Sequence, residues 1–199
     1  SPGSIEGTAS WLRDTLAPSV SSAADAMTSA RSTASASWNT TAGYNFFSVA
    51  SRAIRTTDDL ESAVKTLADD LDGFAGKLRR CQEDMTQARQ DARDGDLTVD
   101  GFVVRNPGPG LATPVPPVDG TPRQWDTYSE DVAAQEAQSE RIRTFVAVRA
   151  EADRVDRAYR TACDDLEGDI PPGAHASWMV TISEVLGDGV VAASAISIA

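Results

Sequence analysis

Apolar residues recur along this chain at alternating four- and three-residue steps over its longest uninterrupted stretch. The series runs Phe46, Ala50, Ala53, Thr57, Leu60, Val64, Leu67, Leu71, Phe74, Leu78, Cys81, Met85, Ala88, Ala92, and only Thr57 breaks its apolar character. That spacing puts one stripe on one helix face and favours near-parallel, left-handed packing against neighbouring helices. A helix from Thr41 to Asp94 is expected, roughly 80 Å long at about 1.5 Å per residue. Gly73 and Gly76 fall inside it and predict a bend near Phe74.

A second apolar series precedes it: Ile5, Ala9, Leu12, Leu16, Val20, Ala23, Met27, Ala30, Ala34 and Trp38, with consecutive four-residue steps around Leu16. Pro18 removes a backbone donor within this series, so a kink or restarted helix is expected there. Ser37-Trp38-Asn39-Thr40-Thr41-Ala42-Gly43 supplies cap and turn chemistry between the two helices. The expected product is an antiparallel helical hairpin.

Beyond the long helix the period changes. Leu97-Thr98-Val99 and Phe102-Val103-Val104 flank Asp100-Gly101, the pattern of a tight β-hairpin. Most of the prolines then fall between Asn106 and Pro122, as an extended connection. Helical spacing resumes at Trp125, Tyr128 and Val132 and continues through Phe145, Val148, Ala152, Val155, Tyr159, Ala162 and Leu166, opposite a face of mixed charge. A last apolar series, Met179, Ile182, Leu186, Val190, Ala193 and Ile196, follows Pro171-Pro172-Gly173. It reads either as a buried closing helix or as an apolar segment that continues in a longer chain, and it is too short for a membrane span. The fold expected is all-α: an elongated antiparallel bundle with a small β-hairpin at its tip. Its parts are residues 1–104 (hairpin, heptad helix and ribbon), 105–122 (Pro-rich connection), 123–168 (return helix) and 173–199 (closing helix).

The 199 residues carry a net charge of -12, which disfavours nucleic acid or an anionic membrane surface as partner. Membrane contact is expected only through the apolar C-terminal segment. No basic-then-apolar leader opens the chain, so no classical secretory signal is read from it. Only Lys65 and Lys77 among the 18 basic residues are lysine, a bias that suggests a GC-rich genome. The single histidine, His175, would have to carry any triad alone, and no Gly-x-Ser-x-Gly elbow accompanies it. Acidic pairs such as Asp58-Asp59 and Asp69-Asp70 fit no calcium loop and read as solvated helix faces. Gly187-Asp188-Gly189 follows no strand and is no phosphate loop. No enzymatic activity and no cofactor or metal are expected. For the two cysteines, a return helix starting where the ribbon ends puts Cys81 level with about Gln138. Cys163 then lies roughly 37 Å away along the axis, too far for a disulfide.

The hairpin joined at Trp38-Asn39-Thr40, the opening Pro2-Gly3-Ser4-Ile5 with Leu12-Arg13, the long Ala/Leu/Arg helix, the Leu97-Thr98-Val99-Asp100-Gly101 ribbon and the Arg-rich return helix follow one another in a distinctive order. This layout, from Pro2 to Gly168, resembles the N-terminal helical targeting domains of actinobacterial type VII secretion substrates, relatives of the small WxG helical-hairpin proteins. Two departures stand out. Thr40 occupies the place of the Gly in Trp-x-Gly, so the turn must be made another way, with Gly43 the nearest glycine. No Tyr-x-x-x-Asp/Glu export signal occurs, since Ser48, Val132 and Cys163 follow Tyr44, Tyr128 and Tyr159 by four residues.

The resemblance implies a secreted or cell-surface effector, exported from the cytoplasm, in which a toxin or other activity follows the targeting domain. It implies small WxG-type hairpin proteins and the secretion ATPase as partners. Trp38, Thr40, Ala42 and Phe46 are then expected to form the hairpin-tip element, and Leu12, Leu16, Val20, Ala23 and Met27 the partner face. Small side chains and only five charges between Ser1 and Ala50 suit close helix approach. The same face is also suited to internal packing. The rival reading is a self-associating coiled-coil protein with no export role, using the Phe46–Ala92 stripe. An enzyme centred on His175 comes third.

Overall fold

A computed structural model describes residues 1–169. His175 and the expected closing segment 173–199 lie outside the described residues. The order is α1 (Pro2–Trp11), a π-helical turn (Leu12–Leu16), α2 (Ala17–Ser35), α3 (Thr41–Asp94), β1 (Val99–Asp100), β2 (Val103–Val104) and α4 (Pro122–Asp169). The described residues are mostly helical, with one small antiparallel two-stranded sheet. The described residues form two units: Ser1–Lys77 with residues 162–169, and Leu78–Thr161.

In the first unit, the Ser1 hydroxyl accepts from the Ser4 N–H, and Pro2 occupies the first turn of α1, where its missing donor costs nothing. The sequence predicts a kink or restart at Pro18. The α-helix does restart there: α2 begins at Ala17 with Pro18 in its first turn, directly after a π-helical turn in which the Ala17 N–H reaches back five residues to the Leu12 carbonyl. A π turn inserts one extra residue, which accounts for the consecutive four-residue steps around Leu16. The inward line is Ile5, Ala9, Leu12, Ala17 and Ala24. Arg13, within the π turn, bonds Asp72 at 2.6 Å and Asp69 at 3.0 Å on α3. Near the end of α4, Lys77 pairs with Asp165 at 2.6 Å.

Two apolar clusters lie among the described residues of the second unit. Cys81 and Met85 on α3 pack with Ala152 and Val155 on α4, with half-buried Tyr159 alongside. Ala88, Ala92, Leu97, Val104 and Val148 form the other, with Val99 and Phe145 against it. Helix α3 ends in a Schellman arrangement: Leu97 N–H bonds the Ala92 carbonyl at 2.9 Å and Asp96 N–H the Arg93 carbonyl at 3.1 Å. Asp96 takes the left-handed conformation (φ 55°). Gly95, one residue earlier, is needed for a different reason, because a β-carbon there would meet the Thr144 side chain at 2.5 Å.

Two expectations are corrected in this unit. The ribbon pairs Val99 with Val104 and Asp100 with Val103, so its loop residues are Gly101 and Phe102, one position later than an Asp100-Gly101 turn. Phe102 is therefore not a strand residue but an exposed loop aromatic beneath the Arg89 guanidinium, 5.3 Å from the ring centroid. The register of α4 also differs. Cys81 packs among Ala152, Val155 and Tyr159, about twenty residues from the expected Gln138, so the argument that separated the cysteines by 37 Å loses its premise. Neither cysteine forms a disulfide. The cause is the Pro-rich segment. It lies along the first part of α4, where buried Gln138 donates to the Pro107 carbonyl at 2.8 Å and the Pro109 carbonyl at 3.1 Å. Helix α4 thus starts well before the point at which it meets α3. A capping box starts it, with the Gln124 side-chain oxygen accepting from Thr121 N–H at 2.8 Å and Pro122 in the first turn.

Candidate functional site: the hairpin tip

The connection between α2 and α3, with the first turns of α3, holds four of the nine residues singled out by the sequence: Trp38, Thr40, Ala42 and Phe46. Helix α2 closes with Trp38 N–H bonded to the Ala34 carbonyl at 2.9 Å. Thr40 caps α3: its hydroxyl accepts from Gly43 N–H at 3.3 Å, and its carbonyl accepts from Tyr44 N–H at 3.1 Å. Threonine at this place supplies a cap that glycine lacks. Gly43 is buried, and a β-carbon on it would collide with the Trp38 carbonyl oxygen and come within 3.1 Å of the Trp38 β-carbon. The backbone of the Trp38 turn therefore rests on the first turn of α3.

The Trp38 ring meets Phe46 edge to face, centroids 5.7 Å apart and planes at 89°, and Phe46 continues to Phe47 at 5.9 Å. Trp38 remains 50% exposed despite this contact. Phe46 directly, and Thr40 through Gly43, are thus tied to Trp38, whereas Ala42 is exposed. The exposed Tyr44 and Val49 extend the apolar surface of the tip. Neither belongs to the heptad stripe: Val49 lies just beside it, and Tyr44, two residues before Phe46, points to nearly the opposite side of α3.

The expected partner face divides along its length. Leu12 is buried within the chain, Leu16 and Val20 are half-buried, and Ala23 and Met27 are exposed. From Asp25 to Thr33 every residue of α2 is exposed. Electrostatics contribute modestly here. Glu61 on α3 bonds Lys65 at 2.6 Å and also Ser21 of α2, and these bonds, Lys65 first, hold its carboxyl below the usual value.

Elsewhere in the first unit a cleft of about 150 Å³ is lined, among the described residues, by Asp69, Asp70, Gly73, Phe74, Lys77, Ala162 and Leu166. Among the described residues no group of three or more His, Cys, Asp or Glu side chains is placed to hold a metal. No described helix is long and apolar enough to cross a membrane. No protein-family model matches the chain, and no curated protein or solved structure matches it.

Proposed function

We propose that this chain is a non-enzymatic targeting and trunk domain of a type VII-secreted effector, built as a WxG-like helical hairpin with a return helix. It binds small helical-hairpin partner proteins and, with them, presents a composite export signal to the secretion ATPase. The observation that carries the reading is the state of Trp38: half exposed, yet fixed by the Thr40 cap, the Gly43 contact and the edge of Phe46. An exposed aromatic whose rotamer is already restrained loses little entropy on binding, which is the character of an interface anchor. The rival coiled-coil reading receives less support, since Val64, Leu71, Phe74, Leu78, Cys81, Met85, Ala88 and Ala92 are all buried by the chain itself.

The test is co-expression with small helical-hairpin proteins of the WxG type. Trp38→Ala is expected to lose the complex and its export while retaining full helicity by circular dichroism. Complex formation and export unchanged in that variant would remove the proposal.

A further inference from the structure

Charge is unevenly spread along this acidic chain. From Ala26 to Thr57 the sequence has no Asp or Glu and three arginines, Arg31, Arg52 and Arg55, a local balance of +3 in a protein of net charge -12. The fold gathers them near the hairpin tip. Counting along the antiparallel pair from the bond between Ser21 and Glu61 sets Arg31 level with about Ser51, next to Arg52. Elsewhere cations find carboxylates: Arg13, Lys77 and Arg154 each reach an acid on another helix. The three tip arginines are exposed, and among the described residues no hydrogen bond or ion pair engages their guanidinium groups.

The two arginines of α3 share a face with an aromatic ring. Tyr44, Ser48, Arg52 and Arg55 follow one another by four, four and three residues, which keeps them within about 80° of the helix circumference and about 17 Å along its axis. Tyr44 is 67% exposed, and the other three are exposed as well. Gly43 and Glu61, through which α3 meets the Trp38 turn and α2, lie on a different side of the helix, so α2 leaves this face open. Asp58 and Asp59, the next carboxylates along α3, bond neither arginine. The face thus offers one phenol and two uncompensated guanidinium groups in line, separated by the small side chain of Ser48.

We infer that this face docks an acidic helix of a partner protein, whose carboxylates pair with Arg52 and Arg55. Charge complementarity selects the occupant. A guanidinium matches a carboxylate in two parallel hydrogen bonds, and Arg and Tyr are among the residue types that anchor protein interfaces. The four positions run along the axis of α3, so the complementary shape is a helix lying alongside it. A bilayer or a nucleic-acid duplex fits less well. Each extends its negative charge past the tip to the acidic remainder of the chain, and recognition of an anionic bilayer takes about four to eight clustered cations. A partner's acidic stripe meets only the tip, and at a Debye length of about 8 Å the carboxylates farther along the chain are largely screened from it. Trp38 and Phe46 pack on the other side of α3, so the inference does not rest on the targeting function proposed above.

The experiment uses the full chain and two labelled helical peptides of equal length, one with Glu at every fourth position and the other with Gln in its place. The Glu peptide is expected to bind saturably, read by fluorescence anisotropy, and to shift the amide resonances of residues 41–57. Arg52→Glu combined with Arg55→Glu should weaken that binding by on the order of tenfold at low salt, the loss shrinking as salt is raised. Both arginines are exposed, so the circular dichroism of this variant should match that of the parent chain. Arg52→Lys combined with Arg55→Lys keeps the charges and should retain most of the affinity. Equal binding of the Gln peptide, or undiminished binding to the doubly reversed variant, overturns the inference. Tighter binding of the tip to phosphatidylglycerol vesicles or to a DNA duplex also overturns it, by assigning the face to another class of partner. Trp38→Ala should bind the Glu peptide as the parent chain does, which separates this face from the targeting function; loss of the peptide in that variant moves the acidic partner to the Trp38 side and overturns the inference.

Discussion

The carbonyl oxygen of Trp38 lies against the α-carbon of Gly43, in the space a side chain on that residue would occupy. In an open helix, Gly→Ala gains helix propensity, about 0.5–1 kcal/mol. At residue 43 the obstruction is backbone, which cannot swing aside, and overpacking of this kind costs about 1–3 kcal/mol. Gly43→Ala is therefore expected to destabilise the protein in urea denaturation, with the Trp38 fluorescence altered because its turn has to move. A midpoint equal to or above that of the parent chain would show that the contact is dispensable.

Two other glycines carry the opposite expectation. A β-carbon added to Gly73 or Gly76 meets nothing within 4 Å, and both residues sit inside α3. Neither is required by close packing, so each costs conformational entropy without a steric return. Gly73→Ala and Gly76→Ala should each raise stability by about 0.5–1 kcal/mol, read as a higher urea midpoint at unchanged slope. A loss in either variant would mean that α3 uses the residue for bending rather than for space.

These glycines also show what a sequence can disclose. The heptad series located α3 because burial on a helix is written in its spacing, and Val64, Leu71, Phe74, Leu78 and Cys81 are buried in turn. The extra residue of the π turn shows in the sequence as two four-residue steps around Leu16, and Pro18 marks where α2 restarts. The register of α4 was not legible, because it depends on the path of the Pro-rich strap. That path is set by Gln138 bonding carbonyls 31 and 29 residues earlier in the chain, and periodicity carries no trace of such a bond. Phe102 misled for a related reason: a β-propensity residue reads as strand until the pairing register makes it a loop. At the tip, Trp38, Thr40 and Phe46 were visible as a motif, but the service of Gly43 was tied to a backbone contact that only folding creates.

Gln138 offers a direct test of the strap. Its amide is the donor to both Pro107 and Pro109, and alanine removes both bonds, at about 1–2 kcal/mol given that Pro109 is open to water. Gln138→Ala should also expose the strap to limited proteolysis near Leu111. Glutamate is the sharper probe. At neutral pH its carboxylate only accepts and would face two carbonyl oxygens, so Gln138→Glu should be less stable than Gln138→Ala. Protonation at low pH restores one donor, so the gap between the two variants should narrow as pH falls through the carboxyl range. A gap independent of pH would deny the hydrogen bonds their role.

Arg154 sets the acid response of the second unit. Its guanidinium bonds Glu151 through Nε at 2.8 Å and reaches Asp84 on α3. The bond from Arg154 holds the Glu151 carboxyl below its ordinary value of 4.5. A carboxyl with a lowered folded pKa adds stability that is complete above the unfolded value and disappears as pH falls through the folded one. The parent chain should therefore hold a constant Tm from pH 7 to about 5 and lose stability below about 4.5. Both groups are largely open to solvent, so the effect is small and weakens with salt. Arg154→Met should lower Tm slightly at neutral pH and flatten the decline below pH 4.5, the two curves meeting in strong acid. Some slope must survive, because the Glu61 carboxyl, lowered first by Lys65 and then by Ser21, titrates with the same sign. Parallel curves for the two proteins across the acid range would show that Arg154 contributes nothing to the response.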